Sequence, residues 1–101
     1  MTADLLDLSA TEAGALIAAR KISSEELVQA CLDRISAREG EVQAWQHLDP
    51  DYAVAEARRA DTTEPLGPLH GVPFGVKDII DTADQPTEYG SPIFAGHRPT
   101  A

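Results

Sequence analysis

Apolar side chains recur at three- and four-residue intervals over the first two thirds of the chain, the period of a helix that buries one face. Ala13, Leu16, Ile17 and Ala18 form a first short stripe. Ser9 precedes it and Glu12 follows three residues later, the spacing of a capping box, which predicts a helix over about 9–20. Its end falls near Arg20-Lys21, where positive charge suits a helix C-terminus. Ser23 and Glu26 repeat that spacing before Leu27, Val28, Cys31, Leu32 and Ile35, and Gly40 reads as the stop, so the second helix is expected over about 23–39. The short connection between the two implies a helical hairpin. Val42 to Leu48, with Trp45 inside it, reads as a short strand or an extended link. Asp49-Pro50 then opens a third helix, about 50–61, with a capping carboxylate and a proline at the first helical position.

Beyond the breaker run 62–68 the period changes. Val72-Pro73-Phe74-Gly75-Val76-Lys77-Asp78-Ile79-Ile80 is short, apolar and rich in β-branched residues, which predicts a buried strand over about 72–79. Residues 81–101 read as an irregular loop, with Asp81, Asp84 and Glu88 as sparse solvated acids. The expected class is therefore α/β: N-terminal helices leading into the first buried strand of a mixed sheet. One strand cannot satisfy its own backbone groups. The rest of that sheet is expected in residues beyond the 101 given, making the chain the N-terminal part of a single domain.

Charge and composition narrow the partners. With 8 Lys+Arg against 17 Asp+Glu the net charge is −9, which disfavours nucleic acid and anionic membrane as partners. No run approaches the roughly 18 apolar residues of a spanning helix, and the N-terminus lacks a basic, apolar leader, so the cytoplasm is the default compartment. The single cysteine, Cys31, excludes an internal disulfide and reads as a small core hydrophobe. His47, His70 and His97 have no metal-ligand spacing, so neither a metal nor another cofactor is expected. His70, beside a glycine, is read as a hydrogen-bonding loop residue.

Lys77 is the residue out of place. Strand alternation puts Val72, Phe74 and Val76 on one face and Pro73, Gly75 and Lys77 on the other, where Gly75 lets another segment approach closely. Burying an ammonium there is costly unless it is paired or gives up its proton. A desolvated neutral lysine can act as a base. The competing reading, a strand-end lysine with its head in solvent or beside Asp78, stays open on these grounds alone.

Leu69-His70-Gly71-Val72-Pro73-Phe74-Gly75-Val76-Lys77-Asp78, followed by Ile80-Asp81-Thr82-Ala83 and Pro86-Thr87-Glu88-Tyr89-Gly90-Ser91, resembles the first signature block of the amidase-signature family. The capped helices and the Trp45 stretch are similar to that family's N-terminal region. The resemblance implies an amide hydrolase with a Ser–cis-Ser–Lys triad acting on a small-molecule amide, Lys77 being the catalytic lysine. Gly75, Asp78, Gly90 and Ser91 would line the site, although a loop-capping role is the favoured reading of Ser91 and ordering the local backbone or balancing Lys77 that of Asp78. The two serines of the triad have no counterpart in this sequence and are expected beyond Ala101, so the chain alone is expected to be inactive.

Two further functions remain open. One is the amidase-type component of the aminoacyl-tRNA amidotransferase, a glutamine-dependent transferase that shares the lysine block and would bring tRNA in as a partner. The resemblance implies a less bulky stretch in the amidotransferase form than Glu88-Tyr89 between Thr87 and Gly90, and so leans toward the hydrolase. The other alternative is a non-catalytic helical module, whose apolar stripes would serve as an oligomer contact such as a homodimer.

Overall fold

Two serines start the helical part of the molecule. In the computed structural model, which describes residues 5–45, 47–77, 85–86 and 97–98, helix α1 runs Ala10–Ala18, α2 runs Ser24–Val42 and α3 runs Pro50–Asp61. Ser9 caps α1: its hydroxyl accepts from the Glu12 N–H at 3.1 Å, and the Glu12 carboxylate accepts from the Ser9 N–H at 2.8 Å. Ser23 and Glu26 make the same reciprocal pair at 3.0 and 2.9 Å. Asp49 caps α3 by accepting from the Tyr52 N–H at 3.0 Å, with Pro50 in the first turn, where a missing N–H costs nothing.

The helix ends depart from the sequence reading. Arg20 and Lys21 lie past the last turn of α1. Arg20 takes a left-handed conformation with φ of 60°, donating its N–H to the Ile17 carbonyl at 3.0 Å, while the Lys21 N–H reaches the Leu16 carbonyl at 2.9 Å. This pair of bonds is the Schellman closure usually built on glycine. Gly40 does not stop α2. A glycine inside a helix costs about 1 kcal/mol relative to alanine, which weakens but does not break it. The helix runs on to Val42, where Gln43 closes it in the left-handed region with φ of 51°.

The larger departure concerns the sheet. No strand forms among the described residues; residues 72–77 and the link after α2 adopt no regular structure. Among the described residues the expected α/β class is thus corrected to three helices joined by irregular segments. A run of β-branched residues becomes a strand only when a neighbour takes up its backbone donors and acceptors. No described segment pairs with 72–77. Nor is the expected apolar face formed, since Phe74 stands 83% exposed. Residues 78–79 and most of the 81–101 loop lie outside the described residues.

The chain divides into two units, Met1–Gln43 with Asp49–Pro73, and Ala44–Leu48 with Phe74–Ala101. The first holds the helices. Ala13 and Ile17 of α1 and Leu27 of α2 form its core, with Leu5, Leu8, Ile22, Cys31 and Val72 half-buried against them. The helices α2 and α3 pack together, and Ala57 is the buried residue of α3. At the surface of this pair the Arg58 guanidinium meets the Glu25 carboxylate at 3.0 Å.

Candidate functional site

Residues 66–73, which lead along the chain to the lysine segment, are tied to all three helices. Gly14 is buried on α1, and a Cβ built on it would collide with the Pro68 carbonyl oxygen, so only glycine admits the loop at this distance. From α2, the fully buried Ser24 donates its hydroxyl to the Gly71 carbonyl at 2.5 Å. From α3, the Ala60 carbonyl lies 2.8 Å from His70 Nε2. Gly71 has φ of +85°, and a Cβ there would meet Ser24 and Ile17 at 3.1 and 3.3 Å, so both backbone and space call for glycine. Turn bonds from the His70 N–H to the Gly67 carbonyl and from the Val72 N–H to the Leu69 carbonyl complete the loop. The hydrogen-bonding role expected of His70 is what the loop uses.

Asp61 joins the helices to one another. Its carboxylate accepts from the Ser24 N–H at 2.7 Å and the Glu25 N–H at 3.0 Å, and its carbonyl accepts from the Arg20 guanidinium at 2.8 Å. With Ser23 taking the Glu26 N–H, the three amides that open α2 all have acceptors.

Lys77 and Gly75 belong to the second unit. Gly75 lies against the indole of Trp45, where an added Cβ would meet the ring edge at 3.3 Å. The close neighbour expected at Gly75 is thus an aromatic ring contributed by the link after α2. Lys77 is exposed, and among the described residues no ion pair reaches it. The buried, dehydrated setting read from strand alternation is absent here, because that alternation presupposed a sheet. Asp78, Gly90 and Ser91 lie outside the described residues.

Other chemistry is sparse. Among the described residues no group of three His, Cys, Asp or Glu could hold a metal ion. No described helix is long and apolar enough to cross a membrane. Cys31 is half-buried beside an open apolar groove of about 190 Å³ that Leu5, Leu8, Ala13, Leu27 and Val72 also line. Burial pushes its thiol pKa up, the opposite of what a thiolate nucleophile needs. Sequence reasoning missed Gly14, Ser24 and Asp61. Their neighbours in the chain carry no signal for them, and only the long-range partners reveal what they do.

Comparison with known proteins bears on the same segment. Residues 26–101 match the family model described as Amidase. The chain is 47% identical over 100 residues to the A component of glutamyl-tRNA(Gln) amidotransferase from Chloroflexus aurantiacus, covering 95% of this chain and 20% of the relative. The corresponding protein of Salinispora arenicola is also 47% identical over the same shares, and that of Thermobifida fusca 44% identical over 92% of this chain and 20% of its own. The chain thus spans about a fifth of the length of these relatives, each 20% covered. No solved structure matches it.

Proposed function

The chain belongs to the amidase family, and from that premise we propose that it supplies the lysine-bearing segment of an enzyme that releases the nitrogen of an amide, with Lys77 as the base. The observation that carries the reading is the family match over 26–101, which contains Lys77 within its signature block. In the mechanism the family resemblance implies, neutral Lys77 accepts the hydroxyl proton of a bridging serine. That serine in turn takes the proton of the nucleophilic serine as its oxygen attacks the amide carbonyl. Protonated Lys77 then returns that proton through the bridging serine to the departing nitrogen, the C–N bond breaks to leave an acyl-enzyme and ammonia or an amine, and a second nucleophile releases the acyl group. Both serines come from outside the matched segment. Exposed in this chain, Lys77 acquires the dry surroundings a neutral amine needs only when further residues of the longer protein cover it.

The relatives move the choice between transfer and hydrolysis. Their shared name makes transfer of an amide nitrogen onto glutamyl-tRNA the reading they support, with partner subunits and charged tRNA as its company, and the family resemblance implies glutamine as the donor. The bulk of Glu88-Tyr89 keeps simple hydrolysis as the second reading. Glutaminase activity that appears only with partner subunits and charged tRNA selects the first, and hydrolysis of small amides by the lone full-length protein selects the second.

The test of the common core is Lys77→Ala in the full-length protein. Amide nitrogen release is lost while circular dichroism is unchanged; wild-type rates in that variant would remove Lys77 from the mechanism. The 101-residue chain alone stays unlabelled by a fluorophosphonate probe.

A further inference from the structure

His70 sits between two backbone groups of fixed polarity. Its Nε2 lies 2.8 Å from the Ala60 carbonyl on α3, and its Nδ1 lies 3.4 Å from the Leu66 N–H at the start of the loop. A carbonyl can only accept and an amide N–H can only donate. Nε2 must therefore carry the hydrogen, and Nδ1 must present its lone pair, which describes one neutral tautomer and no other protonation state. From this we infer that His70 is a proton-sensitive latch: neutral, it holds the start of loop 66–73 to the end of α3, and protonated, it lets go of Leu66. In the imidazolium both ring nitrogens are donors, so Nδ1–H faces the Leu66 N–H and that bond cannot persist. The Ala60 bond survives the change. Proton uptake thus releases one end of the loop and leaves the other attached.

The charged groups around the latch are engaged elsewhere. Asp61, next to Ala60, has both carboxylate oxygens on the amides that open α2. Arg20, from the turn after α1, holds the Asp61 carbonyl, and Arg59 on α3 meets Glu56 at 2.6 Å. Arg58 is paired with Glu25, and Glu64, in the loop before Leu66, is exposed. Among the described residues no ion pair reaches the imidazole, so no neighbouring carboxylate offsets the lost Leu66 bond when the ring takes up a proton. Other contacts of the loop, among them the Pro68 carbonyl against Gly14 and the Ser24 hydroxyl on Gly71, involve no titrating group and hold it from Pro68 onward, so the release is confined to the residues before Pro68.

The experiment is nuclear magnetic resonance on the 101-residue chain, followed from alkaline into acid solution until the His70 ring is seen to change charge. The ¹⁵N shifts of the His70 ring should report the Nε2–H tautomer at the basic end. The Leu66 amide proton should move upfield on acidification, with the midpoint of the His70 ring carbons, as its hydrogen bond is lost. In His70→Gln, whose side-chain amide can still donate to Ala60 but cannot titrate, the Leu66 signal should stay flat over the same range. A ring in the Nδ1–H tautomer, a Leu66 amide that ignores the ring's titration, or a Leu66 titration that survives in His70→Gln would each overturn the latch. If His70→Gln fails to fold, the two wild-type measurements still decide.

Discussion

The Asp61 carboxylate accepts the backbone N–H of Ser24 at 2.7 Å, so the last residue of α3 closes the first turn of α2 from 37 positions away. The arrangement places a negative charge at the positive end of the α2 dipole, where opposite charges attract. It also uses the two amides that Ser23 cannot reach. Asp61→Ala leaves both without this acceptor, and the loss should resemble that of a helix cap, about 1–2 kcal/mol. Urea unfolding of the variant against the wild-type chain measures it; an unchanged midpoint would mean that water replaces Asp61 without loss.

Gly14 lets the loop backbone at Pro68 come close against α1. A methyl group on Gly14 has nowhere to go, because the atom it would strike is a backbone oxygen rather than a movable side chain. Gly14→Ala should cost about 2–3 kcal/mol, the penalty of overpacking a tight site. Its amide spectrum should show residues 66–70 displaced. Wild-type stability together with an undisturbed loop would disprove the contact.

The opposite substitution result is expected at Gly40. It lies in the interior of α2 and has nothing within 4 Å of an added Cβ. Gly40→Ala should therefore raise stability by about 0.5–1 kcal/mol through helix propensity and a less flexible unfolded chain. Thermal unfolding that shows no gain would place the end of α2 before Gly40.

Acid should act on the α1 cap through Glu12. Its pKa is held below the ordinary carboxylate value chiefly by the hydrogen bond from the Ser9 N–H. A carboxyl whose pKa is lowered by folding adds stability that is fully present above its unfolded value and disappears as pH falls through the lowered native one. The first turn of α1 should stay intact down through the usual glutamate range and fray below it. In Glu12→Gln, which cannot ionise, the Ser9 and Glu12 amide signals should lose that acid transition. Persistence of the transition in the glutamine variant would assign it to another group.

The parts of the molecule legible in the linear order are those whose partners lie three or four residues apart. Ser9 with Glu12, Ser23 with Glu26, and Asp49 with Tyr52 could be read from spacing because a helix start is satisfied by its own first turn. The block around Lys77 was legible in another way, as a family signature that the match over 26–101 supports. Tertiary structure alone decided the rest. The run 72–79 carried a strand's composition, but its donors and acceptors needed a neighbour that no described segment supplies, so 72–77 stays irregular and Lys77 exposed. Gly14, Ser24 and Asp61 look ordinary in the chain and become specific only when distant carbonyls and amides arrive beside them. Hydrogen bonds between near neighbours follow from spacing, whereas those across 37 or 47 residues exist only once packing has brought their ends together.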